Sequence, residues 1–200
     1  MSDRKFPKER IKRPPKPLDS SRLQELALAY VARFSTTAAK LETYLKRKLR
    51  ERGWDDEGEP DLSAISARYV DLGYIDDALY AKAKAGGLLG RGYGPRRVTQ
   101  ALYAAGVSEE IRDNLAPGDL AKREAVQTMA RKRRFGPYFV GTLEPDRREK
   151  QIAAMLRAGH GFDNVRLVIN ARNVQAVDEW VSEAREEAAQ ASSFDTGFED

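Results

Sequence analysis

Cysteine is absent from this chain of 200 residues, and histidine occurs once, at His160. The first absence excludes a disulfide framework and a thiol nucleophile. Together the two exclude the usual Cys/His zinc sets, and no cofactor is expected. No run of about 18 apolar residues is present, so a membrane span is not expected. The start lacks the order of a secretory leader, basic and then apolar, which points to the cytoplasm. Sustained alternation of apolar and polar residues is also missing, and that leaves β-strands without support.

Charge is plentiful and unevenly placed. Charged residues make up 33% of the chain and the net charge is +4. Residues 1–17 hold seven Lys or Arg against two acids, with four prolines, and read as a disordered basic arm. Residues 173–200 form an acidic tail with eight Asp or Glu against Arg185. What lies between is basic, at +6. A basic body suits a polyanionic partner, although a merely soluble surface explains the balance as well.

Helical spacing accounts for most of the remainder. Structure should begin near Leu18, where Asp19, Ser20 and Ser21 offer caps to a helix carrying Leu23, Leu26, Ala27, Tyr30 and Phe34 and stopping at Ser35. A second helix runs from about Thr37 to Arg52, with Gly53 as its stop. A third follows the break at Trp54 to Pro60, with Leu62, Ile65, Tyr69 and Leu72 inward. Further helices are expected from Asp76/Asp77 to Leu89, Pro95 to Gly106, Ser108 to Leu115, Asp119 to Arg134, Pro145 to Ala158, and Phe162 to Asn170. In the tail, Val174, Val177, Trp180, Val181 and Ala184 form an apolar stripe for a docked helix, and the segment from Ala188 should be mobile.

The middle helices of the three sets repeat one pattern. Leu45, Leu49 and Gly53 correspond to Val98, Leu102 and Gly106, and more loosely to Ile152, Leu156 and Gly159. Such a recurrence implies stacked units too small to fold alone. The expected fold is all-α: repeats at 18–75, 76–117 and 118–172 that form an elongated, curved solenoid. The repeated leucines and glycines are core and helix stops, and carry architecture only.

Candidate chemistry is sparse. Asp76 and Asp77 sit where a helix begins, so capping explains them better than acid/base or magnesium chemistry. Gly90-Arg-Gly-Tyr-Gly94 lacks the Gly-Lys-Ser/Thr ending of a phosphate loop and follows a helix, so it reads as an interhelical turn. His160 reads as a loop residue. Arg96 and Arg97 are different, because cations in the first turn oppose the helix dipole. No acid occurs from Ala78 to Val107, where Lys82, Lys84, Arg91, Arg96 and Arg97 are all basic. Arg131, Lys132, Arg133 and Arg134 end one helix, in excess of what a cap requires. Lys46, Arg47, Lys48 and Arg50 cluster on another. Lys46, Arg47, Arg50, Lys82, Arg91, Arg96, Arg97 and Arg131 to Arg134 are therefore the candidate contacts to DNA or an acidic protein groove.

The stretch Leu72-Gly-Tyr-Ile-Asp-Asp-Ala-Leu-Tyr-Ala81, followed by Gly94-Pro-Arg-Arg-Val98, Leu102 and Gly106-Val107, resembles the central signature of the RecX family. The resemblance extends over roughly residues 20–170. It implies three repeats of three helices and a non-catalytic regulator that binds the RecA recombinase filament and its DNA, single- or double-stranded, and inhibits ATPase and strand exchange. A monomer acting in recombination and repair, within the SOS response, is expected. The alternative is a general nucleic-acid-binding helical protein with no recombinase partner. An enzyme is not expected, since no nucleophile, base and orienting group stand together in the pattern.

Overall fold

The computed structural model describes residues 16–195, so most of the basic arm and the last five residues of the acidic tail lie outside the described residues. Within them the secondary structure is helical, with one isolated bridge between Leu18 and Trp54. Ten α-helices follow in order: α1 (Ser20–Arg33), α2 (Ala38–Arg52), α3 (Leu62–Asp71), α4 (Asp77–Leu89), α5 (Pro95–Tyr103), α6 (Glu109–Asn114), α7 (Asp119–Arg133), α8 (Pro145–Arg157), α9 (Phe162–Asn170) and α10 (Val174–Asp195). A 3-10 turn, Gly136–Tyr138, joins α7 to the loop before α8. None of these helices is long and apolar enough to cross a membrane.

The helix starts follow local chemistry. Asp19, Thr37, Asp61, Asp76 and Ser108 each accept a hydrogen bond from a backbone N–H of the first turn, which satisfies a donor the helix leaves free. Asp76 is thus a cap, as its position implies. Pro95 and Pro145 open α5 and α8, where the missing N–H costs nothing.

The chain divides into two compact units, parting between Ile75 and Asp76. In the first, α1, α2 and α3 enclose Leu23, Ala27, Leu41, Leu45 and Tyr69. Leu18 is fully buried beneath them, and its backbone pairs with Gly53 and Asp55. Leu72 departs from its inward assignment: it ends α3 and is 57% exposed. It falls one residue past the last helical turn, so the face that sets Leu62 and Tyr69 inward no longer governs it.

The second unit holds two buried clusters. Ala81, Ala85, Leu88, Val98, Leu102 and Ala105 fill the space between α4, α5 and α6. Val126, Met129, Met155, Val165, Val168 and Val177 do so for α7 to α10, and α4 packs on α7. The repeat is tighter here than the leucines indicate. Gly53, Gly106 and Gly159 all have positive φ, and each lies 53 residues from the next. Met155, fully buried, occupies the place four residues before its glycine that Leu49 and Leu102 occupy before theirs; Leu156 is only partly buried. The six-residue closure of the helix end is the same in both later repeats, with Val107 N–H bonding the Leu102 carbonyl and His160 N–H that of Met155.

The C-terminal helix is longer than its apolar stripe. Val177, Val181 and Ala184 are buried against α7, worth about 1.5 kcal/mol or more for each valine. Arg123 adds a hydrogen bond to the Trp180 carbonyl at 2.6 Å, with its guanidinium 4.8 Å from the indole. The helix then continues through Asp195, past the point where sequence patterning predicts mobility. Glu186, Glu187, Ala188, Ala189, Gln190 and Ala191 are all strong helix formers and extend a helix already nucleated by docking.

Candidate nucleic-acid interface

The glycine-rich segment after α4 positions much of the basic surface. Gly92 takes φ of +89°, and Tyr93 N–H closes the end of α4 on the Leu88 carbonyl. The chain then runs against the end of α8. Gly94 N–H bonds the Ala158 carbonyl at 2.9 Å, and Arg96 N–H bonds that of Gly159 at 3.1 Å. A Cβ on Gly94 would lie 2.3 Å from the Gly159 carbonyl carbon, so only glycine fits. A Cβ on Gly159 would meet the Arg97 nitrogen at 2.5 Å. His160, 1% exposed, seals the contact through Nε2, 3.0 Å from the Gly92 carbonyl oxygen. Its loop position follows from sequence, while its burial does not. Burial pushes the imidazole below its ordinary pKa, and the bond to Gly92 opposes this more weakly.

Docking of that loop brings two basic segments together. Lys132 directs Nζ at the carbonyls of Gly90 and Arg91, at 3.3 and 3.4 Å. Arg91, Lys132 and Arg133 then line one cleft of about 340 Å³ with Tyr93. Arg133 also borders a second cleft of about 380 Å³, shared with Arg134, Arg147 and Lys150. Arg96 and Arg97 project from the first turn of α5, beside the docked loop. Arg131 lines a separate hollow with Gly90 and Arg185. Lys82 is exposed on α4 and lines none of these clefts.

In the first unit, Arg47 and Arg50 edge a hollow of about 270 Å³ with Lys40 and two stacked tyrosines, Tyr30 and Tyr44, whose centroids are 4.3 Å apart. Lys46 faces outward on the same helix. All the cations singled out in the sequence are at least partly exposed. Lys46 pairs with Glu42 and Arg47 with Glu51, whereas Arg50, Lys82, Arg91, Arg96, Arg97 and Arg131 to Arg134 have no ion-pair partner among the described residues.

Sequence reasoning misses Arg147 and Lys150. A signal was available, because Arg147 and Arg148 follow Pro145 in a first turn much as Arg96 and Arg97 follow Pro95. Arg148 is held by Asn170 at 3.0 Å, which leaves Arg147 as the outward cation. No group of three or more His, Asp or Glu side chains among the described residues is placed to hold a metal ion.

Residues 76–114 match the family model for the second three-helix domain of RecX. The regulatory protein RecX of Myxococcus xanthus is 31% identical over 176 residues, which cover 82% of this chain and 92% of that protein. That of Thermus thermophilus is 31% identical over 136 residues, covering 68% and 83%. The crystal structure of RecX from Lactobacillus salivarius superposes with a TM-score of 0.59 at 22% identity, over 79% of this chain and 96% of that one, and shows the all-helical fold. On the length and identity of these matches, the chain belongs to the RecX family of regulatory proteins.

Proposed function

We propose that this protein regulates a RecA-type recombinase by binding the recombinase filament and its DNA, lowering ATPase and strand exchange in recombination and repair without catalysing a reaction. The observation that carries the reading is the convergence of Arg91 with Lys132, Arg133 and Arg134, cations from two helical repeats drawn onto one surface without ion-pair partners. Exposed cations left without acidic neighbours are suited to phosphate, since each releases a counterion when it binds. Membership in a family of regulatory proteins supports reading the partner as a recombinase. The filament offers both phosphate and protein surface. Contacts to protein should persist where salt has screened those to phosphate.

The test compares retention of the protein on naked DNA and on DNA coated with recombinase across a salt titration. Retention on the filament at salt that releases it from naked DNA is expected. Loss from both at the same salt identifies a general nucleic-acid binder and overturns the recombinase reading.

A further inference from the structure

The cleft between the end of α7 and the start of α8 differs from a plain basic surface. Phe135 and Phe139 line it together with its cations. Phe139 lies outside the buried cluster of its repeat, and Arg147 sits 4.6 Å from its ring centroid. Gln151 also lines the cleft and is 5% exposed. Its Oε1 accepts from Gly136 N–H at 2.8 Å, while its amide nitrogen has no acceptor among the described residues. That nitrogen is open to solvent at the cleft and free to donate.

Arg134 supplies an independent sign. It ends α7 with φ of +54°, the only non-glycine residue with positive φ among those described. Gly53, Gly92, Gly106 and Gly159 also take positive φ near other helix ends. Arginine in that conformation costs about 1 kcal/mol or more, and strain of this kind collects at binding sites. The substitution places a guanidinium on the rim of the cleft where glycine would place nothing.

We infer that this cleft is a nucleotide-binding pocket, which takes one nucleotide unit with its phosphate on Arg134, Arg147 and Lys150 and its base against the Phe139 ring. Its volume, about 380 Å³, falls in the range of about 300–1,000 Å³ typical of small-ligand sites. An aromatic wall has no role toward duplex phosphate, but it stacks any unpaired base. The free amide of Gln151 can donate to a base carbonyl. The strand nucleotide is the natural occupant, because the basic face adjoins the cleft through Arg133. This inference rests on the nucleic-acid reading above and adds base recognition to it.

The test measures full-length protein and Phe139→Ala against two labelled strands of equal length and charge, oligothymidylate and an abasic deoxyribose-phosphate strand. Stacking predicts that the parent prefers the base-bearing strand by about fivefold or more. Phe139→Ala should abolish that preference, keep its affinity for the abasic strand and keep its melting temperature. Arg134→Ala with Arg147→Ala should weaken both strands together. Thymidine monophosphate as competitor distinguishes a pocket that also takes free nucleotide from one that needs the strand; either result supports the pocket if it depends on Phe139. An equal preference in parent and Phe139→Ala overturns the inference while leaving the basic face intact, and failure of both strands to bind overturns the nucleic-acid reading itself.

Discussion

The Gly92 carbonyl oxygen lies 3.0 Å from Nε2 of His160, within a contact that ties the turn after α4 to the end of α8. The imidazole therefore serves as a neutral donor, and the proton on Nε2 is required for the bond. Protonation of the second nitrogen would place an uncompensated charge in a buried position.

A pH dependence of stability follows. Burial holds His160 below its ordinary value of 6.5, which applies to the unfolded chain. The unfolded state thus takes up a proton first as pH falls. The contribution of this contact is complete above about pH 6.5 and declines as pH drops toward the folded value. Urea midpoints measured between about pH 8 and about pH 5 should show the decline in the parent, and His160→Gln, which retains a donor but does not titrate, should show less of it.

The same glycine-to-alanine change should act in opposite directions at two places. At Gly94 the new methyl would collide with the backbone of Gly159, at a cost of about 2 kcal/mol or more. At Gly87, in the body of α4 with open space around it, alanine should stabilise by about 0.5–1 kcal/mol through the unfolded state. Thermal melts of the two variants decide the matter. A neutral Gly94→Ala would show that the turn does not seat closely against α8.

Sequence carries more of the architecture than of the interface. Capping residues, prolines at helix starts and the spacing of Leu41, Leu45, Val98 and Leu102 place the helices closely, because these signals act within one or two turns. The glycines read as turns, but the fit of Gly94 against Gly159 spans 65 residues and has no local signature. Met155 is overlooked for the same reason, since Leu156 matches a leucine pattern and only packing shows which side chain faces inward. The cations of the candidate interface are legible singly, while their convergence, and the Phe139 ring that lines the cleft beside them, depend on how α7 and α8 are joined.

Replacing Arg96 and Arg97 with alanine should weaken binding to DNA or filament and leave the melting temperature nearly unchanged. Both side chains are exposed, and surface substitutions usually shift stability by about 0.5 kcal/mol or less. The salt slope of binding should fall by about one for each phosphate that the variant no longer neutralises. Unchanged affinity at moderate salt would mark this face as solvated only.

Truncation after Ala188 should tighten DNA binding modestly at low salt. Of the acids on α10, Asp178 bonds Gln127 and Glu183 lies near Arg123, so both are engaged in docking the helix. Those farther along the chain remain to compete with phosphate for the basic body at high effective concentration. Equal affinity of truncated and full-length protein through a salt titration would assign the tail to solubility.

The central claim, regulation of a recombinase by binding, is tested most directly by DNA-dependent ATP hydrolysis on preformed recombinase filaments as this protein is added. Hydrolysis should fall at levels well below one molecule per recombinase subunit, and the Arg96→Ala/Arg97→Ala variant should require more protein for the same effect. Hydrolysis that is unchanged, or that falls only when enough protein is present to cover the DNA, would contradict it.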